Sequence, residues 1–176
     1  MAVARTDDGS TYATAAEING LIAPASVERV GVPAGLGDLL TKKAFGPDDT
    51  AEFVRHADPR LVAETQASGW PPPVVQVCRP GMPAHMVEVM RSYADPHTNP
   101  VDEIHHVVDG AIEFGFVTGG GRQVLLVLEP GDALSFPAGT EHWSVLTDDR
   151  RVTTYVYLSS ATPFEHHYTG TAIAIR

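Results

Sequence analysis

His97-Thr-Asn99-Pro-Val-Asp-Glu103-Ile-His105-His106-Val-Val-Asp-Gly110 and Gly131-Asp-Ala-Leu-Ser-Phe-Pro137-Ala-Gly139-Thr-Glu-His142-Trp143 are the two stretches that decide the fold. In an extended chain, side chains two residues apart share a face. Glu103, His105 and Val107 therefore project to one side, and Ile104, His106 and Val108 to the other. A carboxylate on the inner face of an apolar barrel is costly unless it is paired or bound to a metal. His97 approaches the same point from across the Pro100 turn. In the second stretch, Gly131-Asp132 begins a strand, Leu-Ser-Phe crosses the barrel, Pro-Ala-Gly-Thr turns the chain, and His142 opens the next strand. Two histidines and one carboxylate with open positions form the facial triad of non-haem Fe(II) oxygenases, although Mn, Ni or Zn suits the same donors.

Around these stretches lie short segments rich in Val, Thr and aromatics: VVQVC (74–78), MVEVM (86–90), EIHHVV (103–108), AIEFGFV (111–117), QVLLVLE (123–129), ALSFP (133–137), WSVLT (143–147) and VTTYVYL (152–158). Pro80-Gly81, Asp109-Gly110 and Pro130-Gly131 separate some of them. Strands at this spacing predict an all-β sandwich or barrel. The tail FEHHYTGTAIAIR offers one more edge strand.

Upstream, Thr14–Ile22 is predicted helical, closed by Ala23-Pro24, and Ser26–Val32 reads as a first strand. Pro33–Gly37 is a turn signal. Asp48 or Asp49 caps a helix through TAEFVRHA, and Pro59 starts another that Gly69 ends. The resulting organisation is a flexible tail over 1–12 and one domain over 13–176. Its helical part is 13–70, packed outside a β-barrel core at 74–176.

The chain has 176 residues, a formal net charge of -10 and a single cysteine, Cys78. The acidic balance argues against a nucleic-acid partner. One cysteine forbids an internal disulfide and fits a reducing cytoplasm. Neither a secretory leader nor a membrane-length apolar run is read in the sequence. P-loop, nucleophile-elbow and dinucleotide fingerprints are lacking as well.

Together the two stretches resemble the cupin family, whose half-motifs run H-x-H…E…G and G…P-x-G…H. Here His97-x-Asn99, Glu103 and Gly110 match the first half except at Asn99, and Gly131, Pro137-x-Gly139 and His142 match the second throughout. The resemblance implies a double-stranded β-helix, or jelly-roll barrel. Within the cupins the chain is most similar to acireductone dioxygenases, through Asp102-Glu-Ile-His105 and Pro137-Ala-Gly-Thr-Glu-His-Trp-Ser-Val-Leu146. A weaker likeness extends over 16–30 and 60–70. That family implies three His and one Glu on a metal, an enediol substrate chelated to it, and O2 as co-substrate. Carried over by position, the ligands are His97, Glu103 and His142, on one divalent metal with Fe(II) favoured. Asn99 stands where the motif has its second histidine, and His105 stands where the family has an arginine. Both changes point to a divergent oxygenase.

Each residue also has a plainer reading. His97 is otherwise a loop histidine, Glu103 a partner for a barrel arginine, His142 a packed core histidine, and Asn99 a turn residue before Pro100. His105 is a substrate-facing group or general base, a replacement ligand, or a hydrogen-bonded core histidine. His106 faces away from the site, and His166-His167 reads as an exposed pair. Nothing in the sequence fixes His85 at the barrel mouth. Phe116, Phe136 and Trp143 are expected to wall the substrate pocket beside Asn99. Three functions remain open: an oxygenase for a small organic molecule with catalytic His105; a non-oxidative isomerase, lyase or cyclase using the metal as Lewis acid; and a non-catalytic small-molecule binder. The fold class suggests a homodimer paired through edge strands.

Overall fold

A computed structural model describes residues 2–42 and 45–175. In chain order the elements are β1 Val3–Thr6, β2 Thr11–Tyr12, α1 Ala15–Ile22, β3 Ser26–Arg29, α2 Gly37–Thr41, α3 Pro47–Arg55, α4 Pro59–Ala67, β4 Val74–Cys78 and α5 Ala84–Ser92. There follow β5 His97–Thr98, β6 Glu103–Gly110, β7 Ile112–Val117, β8 Gln123–Leu128, β9 Asp132–Phe136, β10 His142–Leu146, β11 Val152–Leu158 and β12 His167–Tyr168. The strands form two antiparallel sheets, ordered β12-β5-β10-β7-β8-β1-β2 and β3-β9-β6-β11-β4.

Alternation along the strands creates three apolar layers. Between the sheets lie Val107, Ile112, Phe114, Phe116, Leu126, Leu134 and Phe136. The outer face of the five-stranded sheet, with Val108, Ala133, Tyr155 and Tyr157, is covered by Leu36, Leu39, Phe53 and Leu61 from the helical segment. The outer face of the seven-stranded sheet packs Leu125 and Trp143 against Ile173 and Ile175 of the C-terminal segment. Helices α2, α3 and α4 do sit outside the barrel. α1 begins with a capping box: Thr14 accepts from the Glu17 N–H while Glu17 accepts from the Thr14 N–H. At α3 the cap is Gly46 with Pro47 in the first turn; Asp49 contributes by accepting from the Gly46 N–H.

Two local expectations are corrected. Residues 3–6, expected in a flexible tail, form β1, which pairs with β8 and buries Ala2 and Ala4. MVEVM, expected as a strand, lies in α5. Its Val-Glu-Val alternation is too short to distinguish the periods. Met86, Val89 and Met90, three and four apart, share the helix face that lines a cavity, while His85 is exposed. The expected edge strand in the tail is β12, paired with β5.

Gly110 ends the first half-motif for a steric reason. Its φ is +69°, and a Cβ there would lie 1.9 Å from the Arg151 carbonyl oxygen.

Cys78 ends β4 with no exposed surface, and burial, partly opposed by Arg79, pushes its thiol up to about 11. The thiolate is the reactive form. Native protein at pH 8 is therefore expected to react with an aromatic disulfide reagent far more slowly than guanidinium-unfolded protein. Equal rates would contradict this burial.

Candidate metal centre

The site forms where β5, β6 and β10 meet at one end of the space between the sheets. His97 and His142 are directly paired across β5 and β10, and their ring centroids lie 4.5 Å apart. Glu103 opens β6, and Asn99 follows β5. His97, Asn99, Glu103, His105 and His142 are all buried, and all line one cavity of about 300 Å³. Most of the remaining wall is apolar, from Val75, Met86, Met90, Phe114, Val156, Leu158 and Phe164.

Hydrogen bonds fix the state of each polar group. His97 Nδ1 donates to the Asp95 carbonyl at 2.8 Å, and His142 Nδ1 donates to the Thr140 carbonyl at 2.9 Å. A carbonyl only accepts, so each ring carries a proton on Nδ1. Their Nε2 atoms make no hydrogen bond among the described residues. Burial, partly opposed by Glu103, pushes the His142 imidazole down to about 4, so it is neutral at pH 7.

Glu103 accepts from Asn99 Nδ2 at 2.5 Å and from His105 Nε2 at 3.0 Å. Burial raises its pKa, but the bond from His105, with the neighbouring imidazoles and Asn99, outweighs burial and holds the carboxyl below its ordinary range. His105 lies parallel to Phe136 at 5.7 Å and against Phe114 at 4.8 Å. Its Nδ1 is buried without a partner.

Imidazoles anchored through Nδ1, with an ionised carboxylate beside them, are the donor chemistry a divalent metal requires. Among the described residues, no three His, Cys, Asp or Glu side chains are gathered so that they could hold a metal ion as they stand; both Glu103 oxygens are in hydrogen bonds instead.

The structure separates the expected pocket residues. Asn99 is in the site rather than serving only as a turn. Phe116 and Phe136 back the His142 ring, with centroids at 6.5 and 4.5 Å, but do not line the cavity. Trp143 is a correction: it follows inward-facing His142 and so faces the opposite side of the sheet, among Leu125 and Ile175. His106 faces away as expected, bonded through Nε2 to the Gly31 carbonyl at 2.7 Å.

Several wall positions were missed, Phe114, Ser144 and His166 among them. Phe114 and Ser144 were readable by alternation from Phe116 and His142. His166, expected in an exposed pair, is half-buried in the cavity wall, with its ring centroid 4.6 Å from that of His97; only His167 is exposed. No motif marked His166.

Comparison with known proteins agrees with this architecture. A family model described as Cupin matches residues 81–175. The acireductone dioxygenase of Rhodopseudomonas palustris (strain TIE-1) is 36% identical over 174 residues, covering 98% of this chain and 99% of that one. That of Trichodesmium erythraeum (strain IMS101) is 29% identical over 177 residues, covering 98% and 97%. Among solved structures, an acireductone dioxygenase from Bacillus anthracis with a cadmium ion in its active center superposes with a TM-score of 0.81 at 18% identity, covering 96% of this chain and 98% of that one. At that identity the superposition speaks for the fold alone.

Proposed function

Because this chain belongs to the cupin superfamily and, within it, to the acireductone dioxygenase family, we propose that it is a metal-dependent dioxygenase acting on a small enediol or similar chelator with O2. The observation that carries the reading is the pair His97 and His142, each anchored through Nδ1 with Nε2 free of hydrogen bonds among the described residues, beside ionised Glu103 in a buried apolar cavity. One divalent metal bound there, Fe(II) by preference and otherwise Ni, Mn or Zn, supplies Lewis-acid charge stabilisation and O2 activation. The cadmium in the Bacillus anthracis relative supports a divalent site in this fold.

His97, His142 and Glu103 hold the metal. His105 orients Glu103 through its Nε2–H and keeps an unpartnered Nδ1 that can take a substrate proton or accept a substrate hydroxyl. The apolar wall excludes water from the reacting atoms. Among the described residues, no Lys or Arg lines the cavity. A phosphate or second carboxylate on the substrate would therefore be desolvated without a counter-ion. The fitting substrate chelates through vicinal oxygens and carries an uncharged, apolar remainder. With His105 in the family's arginine position, the substrate contact differs from the family pattern. The single buried Cys78 fits a reducing, cytoplasmic setting.

The test is oxygen uptake by anaerobically Fe(II)-loaded protein mixed with an uncharged enediol ketone. One O2 should be consumed per substrate, with C–C cleavage and one atom of 18O2 in each acid product. Turnover without O2 uptake would replace the proposal with a Lewis-acid isomerase, lyase or cyclase. Absence of both metal uptake and turnover would leave a binding module.

A further inference from the structure

His166 lies outside both motifs, yet the chain's own pairing brings it to the site. β12 runs antiparallel to β5 with Tyr168 opposite His97 and His167 opposite Thr98. The next step of that register sets His166 opposite Asn99. Further bonds pin the register: the Thr169 N–H and hydroxyl both reach the Pro96 carbonyl, and the Tyr168 hydroxyl donates to the Ser92 carbonyl.

The hydrogen bonds then define the His166 ring. Asn99 must turn its NH2 toward Glu103, because a carboxylate only accepts. Its Oδ1 is thereby left facing His166 Nδ1 at 2.6 Å, and an amide oxygen also only accepts. The neutral His166 ring therefore carries its proton on Nδ1 and a lone pair on Nε2, which makes no hydrogen bond among the described residues. This is the state of His97 and His142, each with Nδ1–H given to a carbonyl oxygen and Nε2 bare. Three histidines in one tautomer, in one cavity, with a carboxylate tied to the third through Asn99, form a consistent donor set. Asn99 is a poorer candidate to join it, since its Oδ1 already accepts from His166 and an amide oxygen suits Fe, Ni or Zn less well than an imidazole.

We propose that His166 is a metal ligand, so that the centre is His97, Glu103, His142 and His166, with Asn99 as the positioning residue that orients His166 and Glu103. The inference rests on the metal-binding reading above and adds to it a fourth donor from the C-terminal segment. Loading and ordering of that segment then become linked, because the metal fastens β12 to β5.

The test uses full-length protein loaded with Cu2+ alone for pulsed electron paramagnetic resonance, and Ni2+ titration for affinity. The wild type should show three coupled imidazoles. H166A and H166Q should show two, with Ni2+ affinity lowered by more than the roughly 10–100-fold typical of losing an outer partner. H166A should regain a third imidazole when free imidazole is added. N99A should keep three imidazoles and lose affinity only within that outer-partner range. If H166A and H166Q keep the wild-type nitrogen count and affinity while H142A loses metal, the inference is overturned and the metal-binding reading stands. A wild-type protein that takes up no metal overturns both.

Discussion

His142→Ala is expected to abolish the stabilisation that divalent metal gives to this protein. Three properties favour His142 as a ligand. It sits in strand pairing with both His97 and Phe116, so its backbone is held from two sides. Its Nδ1–H is anchored on Thr140, which fixes the ring. Its imidazole is neutral at pH 7, so no proton need be displaced before a metal binds. A ligand that binds only the folded state at a hundred times its Kd adds about 2.7 kcal/mol. In a domain of this size each kcal/mol moves Tm by roughly 2–4 °C, so saturating Fe2+ or Ni2+ should raise the wild-type Tm by about 5–11 °C. The His142→Ala protein should show no such shift and no stoichiometric metal by elemental analysis. Its apo form should still melt cooperatively, because Phe116 and Phe136 remain packed behind the vacated space. Stoichiometric metal in the variant would remove His142 from the site.

Much of this centre was legible because it lies on regular strands. Period-two alternation alone put Glu103 and His105 inside and His106 outside, as found. Applied one step further, it would have turned Trp143 outward once His142 was inward. The expectation failed there because an aromatic beside a ligand was weighed above its register. α5 was misread because five residues with alternating valines do not separate a strand from a helix. β1 was invisible for a different reason: Ala2 and Ala4 have weak strand propensity, and their burial depends on pairing with β8, more than a hundred residues away. His166 shares that limit, since only the β12–β5 register reveals that it faces Asn99.

Gly115→Ala should cause the largest loss of stability of any single methyl addition in β7. Gly115 is paired with Trp143, and the indole lies directly on the glycine. A Cβ at 115 would stand 1.9 Å from Trp143 Cε2 and 2.0 Å from Cζ2, far inside contact distance. The indole has little room to retreat, because Leu125 and Ile175 bury it to 2% exposure. Overpacking a core typically costs about 1–3 kcal/mol. A clash with a rigid, fully enclosed ring belongs at the top of that range, so Tm should fall by roughly 6–12 °C. The damage should also reach the opposite face of the sheet. His142 and Trp143 are adjacent on one strand, so a displaced indole tilts the β10 backbone that aims His142. Metal affinity should therefore fall along with Tm in Gly115→Ala. Trp143→Leu, which leaves a cavity without a clash, should lower Tm while disturbing metal binding less. The double variant separates this cause from a general intolerance of β7 to substitution. A leucine at 143 frees the space the new methyl needs, so the combined loss should be smaller than the sum of the single losses, by about 1 kcal/mol or more. Strict additivity in urea unfolding would show that the two positions do not oppose one another. The Gly115 requirement would then lie in the β7 backbone rather than under the indole.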